Sequence, residues 1–185
     1  MKLRFTLAAL LLAPLAAQAA VYTQILPEQS SVRFGYQQMG VDMDGSFNTL
    51  NGELHFDTEA PENTHVELKL DLASVDTGLD EANEELAKSE WFDSASNPLA
   101  TFTADQVTPK SADQYLVNGL LEIKGQQRPV SFTATLTQDG NNATLTGQLP
   151  IKRSDFTVGE GPWAAFDVVA NEVTIDFTIA VAPAN

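Results

Sequence analysis

The sequence contains no cysteine and only two histidines, His55 and His65, among its 185 residues. The lack of thiols excludes disulfides, thiol catalysis and zinc–thiolate sites, so the core alone must hold the fold. Basic residues are also scarce, since 10 lysines and arginines stand against 25 acidic residues and give a formal charge of −15. A surface of that charge repels phosphate backbones and anionic lipid headgroups. We therefore expect neither nucleic acid nor an anionic membrane surface as a partner.

Groups that could carry catalysis or bind a metal are few. His55 lies in an alternating segment that directs it outward, and His65 follows ten residues later. The two could meet across paired strands, but a two-histidine metal site would lack a third ligand. A set of acidic residues lacks the spacing of a calcium loop and is interpreted as a solvated helix face. This set consists of Asp76, Asp80, Glu81, Glu84 and Glu85. The sequence thus predicts no catalytic residue, no metal site and no cofactor.

The first 19 residues have the pattern of a secretory signal peptide. Lys2 and Arg4 precede an apolar run from Phe5 to Leu15, and small residues at positions 17 and 19 favour cleavage near Ala19. The run of 11 residues is too short to cross a bilayer as a helix. We expect residues 1–19 to be removed and residues 20–185 to form one soluble, periplasmic domain. Removing Lys2 and Arg4 changes the formal charge from −15 to −17.

Apolar and polar residues alternate over much of the chain from Ser31 onward, as is typical of strands with one buried face. The longest such run extends from Val66 to Leu72. Turn-forming residues at 139–142 and at 125–129 predict two hairpin loops. Further strands are predicted within residues 32–36, 54–56, 101–104, 115–123, 130–136, 143–149 and 173–179.

About eight short strands with one apolar face each indicate a β-barrel or a β-sandwich, and alternation does not choose between them. One interval differs, because Leu79, Ala82 and Leu86 recur at spacings of three and four between Asp76 and Lys88. This spacing predicts a short amphipathic helix on an otherwise all-β scaffold.

Short fragments spread over most of the chain carry a family resemblance. They are Ser31–Phe34, Gly45–Phe47, Leu50–Asp57, Ala73–Thr77, Trp91–Asp93 with Asn97–Phe102, Gly119–Gly125 with Arg128–Val130, and Arg153–Phe156. Taken in this order and spacing, from about Val21 to Val181, the fragments resemble the YceI family of exported lipid-binding proteins.

The resemblance implies a lipocalin-like, eight-stranded antiparallel β-barrel with a short helix near one end and an isoprenoid tail in the interior. Such a barrel has room for side chains or for one slender ligand, so the inward residues decide which it holds. Burial of about 0.8 kcal/mol per methylene would retain a prenyl chain without covalent chemistry. The apolar lining is predicted to consist of Phe34, Phe47, Phe56, Leu68, Leu70, Leu86, Trp91, Phe102, Val130, Phe132, Ile175 and Phe177.

One segment departs from the family pattern. Many relatives carry a basic, histidine-containing helix after the position of Thr77, whereas this chain is acidic there. A phosphate headgroup would meet like charge beside these carboxylates, and Lys88 and Arg153 are the only nearby cations we can suggest. The segments around Trp91 and Trp163 resemble the branch that occurs fused to, or paired with, membrane cytochromes of the b561 type. Together these features favour a neutral, quinone-like headgroup.

Three functions remain open from the sequence. The first is a periplasmic carrier of an isoprenoid lipid, either a prenyl quinone or another polyisoprenoid. An alternative is a non-enzymatic partner of a membrane b561-type cytochrome redox system, for which the barrel interior would be filled by its own side chains. A further alternative is a minor enzymatic role, for which Asp155 or Glu85 would have to point into the barrel beside the ligand. The sequence does not predict the oligomeric state.

Overall fold

A computed structural model of the protein describes residues 20–184, so the expected signal peptide at 1–19 lies outside the described residues. One α-helix, α1 (Asp80–Leu86), accompanies eleven strands in this range. The strands are β1 (Val21–Ile25), β2 (Ser31–Gln38), β3 (Val41–Phe47), β4 (Leu50–Asp57), β5 (His65–Asp71), β6 (Val75–Asp76), β7 (Leu99–Pro109), β8 (Gln114–Ile123), β9 (Gln126–Asp139), β10 (Asn142–Lys152) and β11 (Glu172–Pro183). Single 3-10 turns lie at Pro27–Gln29, Pro61–Asn63, Leu72–Ser74, Arg153–Phe156 and Gly161–Trp163.

The strands form one antiparallel sheet that closes on itself. β11 pairs with β10 on one side and with both β1 and β2 on the other. β1 and β2 serve as one wall strand interrupted at residues 26–30, and β3 and β4 as one wall strand bent at residues 48–49. With β5, β7, β8, β9, β10 and β11 they make an eight-stranded up-and-down barrel. The predicted barrel is confirmed, and closure through β11 excludes the sandwich.

Alternation along each wall strand places apolar side chains inside. In β8, for example, Tyr115, Val117, Leu121 and Ile123 are buried, whereas Leu120 between them is exposed. Burial of one face is worth about 25 cal/mol per Å² of apolar surface, which fixes the register because a one-residue slip would expose the whole face.

The barrel has two different ends. At one end, called the short-loop end, the wall strands are joined by residues 58–64, 110–113 and 140–141. A buried cluster that includes Tyr22, Phe56, Tyr115 and Val181 lies toward this end. At the other end, called the long-loop end, two long connections occur at residues 72–98 and 153–171. A second cluster there includes Leu72, Trp91, Phe156 and Val169.

Helix α1 is shorter than the predicted interval from Asp76 to Lys88. Asp76 belongs instead to β6, which pairs with β3, and Gly78 adopts a φ of +77° that ends the extended segment. The backbone N–H and hydroxyl of Thr77 donate to Asn83 Oδ1 at 2.9 and 2.8 Å, which holds the entry to the helix. The prediction of a short helix is confirmed, and its bounds were too wide because local pairing of β6 competes with helix formation.

The two predicted hairpin loops have different outcomes. The turn at 139–142 is confirmed, with Asp139 paired to Asn142. The loop predicted at 125–129 is wrong in extent, because the turn is Lys124-Gly125 with φ values of 51° and 69°. Positive φ at both positions matches the two-residue turns that suit strand twist. Pro129 lies within β9 opposite Leu120, and it is tolerated there because β9 has no β10 partner before Ala134.

The two histidines do face each other across a strand pair. His55 of β4 is in register with His65 of β5, and both are exposed. Across residues 20–184, no three histidine, aspartate or glutamate side chains are grouped so as to hold a metal ion. Nor does any helix in that range combine the length and apolar character that crossing a membrane requires.

Candidate functional site

The barrel encloses a cavity of about 660 Å³ that extends from the short-loop end to the long-loop end. This volume lies within the range of about 300–1,000 Å³ that small-molecule sites occupy. Its wall is largely aliphatic and aromatic, and among residues 20–184 the only charged ones that border it are Arg33, Glu81, Glu85 and Arg153. The interior is therefore not filled by its own side chains. The interaction-partner alternative would require a filled interior.

Eleven of the twelve residues predicted to line the interior border this cavity. They are Phe34, Phe47, Phe56, Leu68, Leu70, Leu86, Trp91, Phe102, Phe132, Ile175 and Phe177. Val130 does not border the cavity; it is half-buried and packs against the cluster at the long-loop end. Its register opposite Gly119 directs it inward, and the 3-10 turn Arg153–Phe156 lies beside β9. That these residues bind a ligand stays a prediction.

Three glycines shape the wall by leaving room for aromatic rings. An added Cβ on Gly45 would come within 2.4 Å of Phe34 Cζ, and one on Gly147 within 2.4 Å of Phe177 Cζ. A Cβ on Gly119 would come within 2.8 Å of the ring of Phe102. Each ring thus lies flat against the backbone of a neighbouring strand, as in the aromatic rescue of strand glycines. Because the rings stay close to the wall, the barrel axis remains open.

These glycine–phenylalanine pairs were missed at the sequence level, although one of them leaves a signal there. Phe34 and Gly45 lie at equal distances from the Met39-Gly40 turn and are paired in register between β2 and β3. Phe177 and Gly147 are likewise paired between β11 and β10, but their separation along the chain hides the relation.

Two segments meet over the long-loop end and form what we call the lid, residues 72–98 with residues 153–171. Trp163 Nε1 donates to Glu85 Oε1 at 2.9 Å, and the backbone N–H groups of Gly159 and Glu160 both donate to the carbonyl of Glu90 at 2.8 Å. The pKa of the Glu85 carboxyl is lowered by hydrogen bonds first from Lys88 and then from Trp163. The two segments of the lid are thus joined to each other by side-chain and backbone hydrogen bonds that are separate from those between the paired strands of the barrel.

Arg153 holds the second lid segment in place. Its side chain is only 3% exposed and donates through all five N–H groups to backbone carbonyls. The acceptors are Ala170 at 3.1 Å, Val158 at 2.9 Å, Gly159 at 2.7 Å, Trp163 at 2.8 Å and Val169 at 2.8 Å. Burial lowers the pKa of this guanidinium, yet its charge is solvated by carbonyl dipoles in place of water.

Neither cation suggested near the ligand is available for a phosphate. All donors of Arg153 are committed to carbonyls, although the residue borders the cavity. Lys88 pairs with Glu85 and is exposed. The other charged residues at the cavity margin of the lid are the carboxylates Glu81 and Glu85. This end of the cavity therefore offers an anionic group no uncommitted cationic donor and places two carboxylates beside it, which favours neutral groups.

The two carboxylates considered for catalysis occupy different places. Asp155 is exposed in the 3-10 turn Arg153–Phe156. Glu85 borders the cavity, but its carboxylate is engaged by Lys88 and Trp163. Two phenols, Tyr36 and Tyr115, also border the cavity, and the pKa of each is raised chiefly by burial. These phenols are neutral near neutral pH.

Comparison with known proteins assigns the family. The sequence model of the YceI-like domain matches residues 24–181. The chain belongs to the YceI-like family. Protein YceI of Salmonella arizonae is 32% identical to this YceI-like chain over 164 residues, which cover 84% of the chain and 85% of the relative. A UPF0312 protein of Photorhabdus laumondii is 29% identical over 170 residues, covering 86% of the chain and 88% of that relative.

Two solved structures have the same fold. BcnA of Burkholderia cenocepacia superposes with a TM-score of 0.82 at 34% identity, covering 85% of this chain and 99% of BcnA. A polyisoprenoid-binding domain from Saccharophagus degradans superposes with a TM-score of 0.68 at 18% identity, covering 90% of this chain and all of that domain. The fold of this chain is thus the eight-stranded barrel that the sequence resemblance implied.

Proposed function

We propose that this YceI-like protein is a periplasmic, non-enzymatic carrier that holds one neutral isoprenoid lipid, a prenyl quinone or prenyl phenol, inside its barrel. The observation that carries the proposal is an open apolar cavity of about 660 Å³ that offers no free cation at the lid. The polyisoprenoid-binding domain of Saccharophagus degradans, which shares the fold, supports the class of ligand. The location in the periplasm rests on the leader pattern of residues 1–19.

The charge of the headgroup follows from the lid. A polyprenyl phosphate would place anionic oxygens beside Glu81 and Glu85, and the nearest cations, Arg153 and Lys88, already have partners. Removing a phosphate from water without a paired cation costs much free energy, whereas removing a carbonyl or phenol oxygen costs far less. The cavity therefore discriminates against anionic prenyl lipids by repulsion as well as by lack of attraction.

The direct test is to identify the lipid that the protein carries. The protein is purified from the periplasm of its own bacterium, extracted with organic solvent and analysed by mass spectrometry, with a periplasmic protein lacking a cavity as the control. We expect a neutral prenyl quinone or phenol at a stoichiometry near one. Its affinity should change little between low and high salt, because apolar burial is not screened. A polyprenyl phosphate as the main species, with affinity that falls as salt rises, would contradict the proposal.

A further inference from the structure

The large apolar side chains that are most exposed to solvent all lie at the long-loop end of the barrel. Among residues 20–184 they are Met39, Val41, Leu79 and Phe166, whose exposed fractions are 72%, 60%, 56% and 53%. Leu79 and Phe166 belong to the lid, and Met39 and Val41 lie at the turn between β2 and β3. Single exposed apolar residues need no explanation, but a group of them at one end of a protein marks a contact surface.

These residues follow one another along the rim of the barrel. The backbone N–H of Met39 donates to the carbonyl of Val168 at 2.8 Å, which joins the β2–β3 turn to the loop that carries Phe166. β6 runs antiparallel to β3, so the chain leaves it in the direction of Val41 and reaches Leu79 three residues after Asp76. The loop, the turn and the start of α1 therefore border the same side of the long-loop end.

The cavity reaches the surface on this side. The exposed residues of 20–184 that border it are Arg33, Leu79 and Glu81, and each belongs to the β2–β3 hairpin or to the start of α1. Gln38 also borders the cavity, and its cross-strand partner Val41 lies on the same face of the hairpin. Val41 is thus an apolar residue on the inner face of the wall that solvent reaches. We call the opening between these residues the mouth.

Met39 does not suit the turn in which it lies. Met39 and Gly40 have φ values of 49° and 78°, and two-residue turns of this kind strongly prefer Asn, Asp or Gly at the first position. A bulky residue with positive φ is an outlier. The Lys124-Gly125 turn has φ values of 51° and 69° and carries a polar residue at that position. A methionine that neither favours the turn nor packs in the core indicates a contact outside the chain.

Acidic residues surround the mouth. Asp42 and Asp44 alternate with inward residues on β3, and Asp80, Glu81 and Glu84 lie on α1; all five are exposed. Anionic lipid surfaces attract basic segments and repel acidic ones, so a strongly anionic bilayer would oppose contact at this rim. A bilayer of zwitterionic lipids has no such net charge, and the apolar side chains can meet it.

We propose that the mouth docks on the surface of a zwitterionic bilayer, so that the prenyl lipid passes between the bilayer and the cavity without crossing water. This inference rests on the proposed function, because prenyl lipids reside in bilayers. Met39, Val41 and Leu79 enter the headgroup region, while the acidic residues around them stay in water. Four exposed apolar side chains suffice for shallow and transient insertion, whereas a specific protein interface takes about 20–30 residues from each partner.

The test follows the release of a prenyl quinone from the loaded protein into phosphatidylcholine vesicles. Trp91 and Trp163 are the two tryptophans of the chain and both border the cavity, so a bound quinone quenches their fluorescence and its release restores it. We expect the rate of release to rise in proportion to the vesicle concentration, and to fall at low salt when phosphatidylglycerol replaces part of the lipid. A rate that is independent of the vesicle concentration would mean transfer through water and would overturn the proposal.

Met39→Asn separates docking from folding. Asparagine suits the turn better than methionine, so the denaturation midpoint should stay the same or rise. Release into vesicles should slow about 4- to 15-fold, the value of one or two buried methylenes. The equilibrium affinity for quinone should not change, because Met39 does not border the cavity. Leu120→Asn, a similar change at an exposed leucine on the wall strand β8, is the matched control and should release quinone as the wild type does; equal slowing in both variants would contradict the proposal.

Two further measurements separate the alternatives. Release into vesicles that contain the membrane proteins of the bacterium, but not into pure lipid, would assign the mouth to a protein partner and overturn docking on the bilayer. Flotation of the unloaded protein with phosphatidylcholine vesicles tests docking without any quinone. The wild type should float with the vesicles and Met39→Asn should float less, whereas a wild type that stays unbound would contradict docking. If the protein floats in this way but binds no quinone, the carrier function fails and docking does not.

Discussion

Adding one methyl group at Gly45 should fill part of the cavity from its wall. In Gly45→Ala the new Cβ would lie 2.4 Å from Phe34 Cζ and 2.8 Å from Phe34 Cε1. Carbon atoms normally approach to about 3.5 Å, so the ring must move by roughly 1 Å. The carbonyl oxygen of Asp76, 3.1 Å from the same Cβ, prevents the methyl group from moving away on the other side. The ring is therefore expected to swing into the cavity.

Two magnitudes follow from that displacement. Overpacking of this kind lowers the free energy of unfolding by about 1–3 kcal/mol. If the displaced ring takes the space of one or two methylenes of the ligand, binding loses about 0.8–1.6 kcal/mol at about 0.8 kcal/mol each. The ligand affinity should therefore fall roughly 4- to 15-fold.

The assay is a fluorescence titration with a prenyl quinone, combined with denaturant unfolding of each variant. Gly35→Ala is the matched control, because Gly35 lies on the same hairpin and its nearest neighbour would be Met43 O at 4.0 Å. We expect Gly35→Ala to bind as the wild type does. Wild-type affinity in Gly45→Ala, or an equal loss in both variants, would refute the idea that Phe34 is held off the axis by Gly45.

Three further results are expected. Arg153→Met leaves five carbonyls without their donor and should lower the free energy of unfolding by about 3–5 kcal/mol. Arg153→Lys should lower it less, because lysine keeps three donors. Equal losses of the two variants in a denaturant titration would contradict this account. Phe132→Asp buries a charge and should abolish lipid binding and lower the free energy of unfolding by more than about 4 kcal/mol. Ser131 points outward, so Ser131→Asp should change that free energy by no more than about 0.5 kcal/mol. Equal losses at both sites would refute the register. The lowered pKa of Glu85 means that its contribution to stability is complete near neutral pH and is lost as pH falls through the lowered pKa. The protection factors of lid amides, which correct for the slower intrinsic exchange in acid, should therefore fall on acidification in the wild type but not in Glu85→Gln.

Strand alternation was sufficient to place most of the cavity wall. A period of two fixes which face of a strand is buried, so residues such as Phe102 and Phe177 could be assigned to the interior before their partners were known. Closure was not predictable in this way, because it depends on β11 pairing with residues about 150 positions earlier. The family resemblance supplied that part of the fold.

The lid could not be predicted from periodicity. The sequence suggested Arg153 as a cation near the ligand. In the structure, its hydrogen-bond partners are carbonyls of an irregular loop, whose path no residue pattern predicts. Val130 has the correct register for the wall, but it packs against the cluster at the long-loop end and does not border the cavity. The indole N–H of Trp91 is buried and has no hydrogen-bond partner among residues 20–184, which is likewise a property of three-dimensional packing, since the sequence shows the donor but not what surrounds it.

Closure by β11 has a consequence for how the chain reaches its native state. The strand that closes the barrel is the last of the described strands, and it is the second partner of β1, which also pairs with β4, and of β2, which also pairs with β3. Pairing between distant segments is slow to form, so a growing chain remains an open sheet until Glu172–Pro183 is available. Until that moment, the edges of β1 and β10 are exposed and can pair with other chains. A truncation before Glu172 should therefore aggregate rather than yield a smaller barrel.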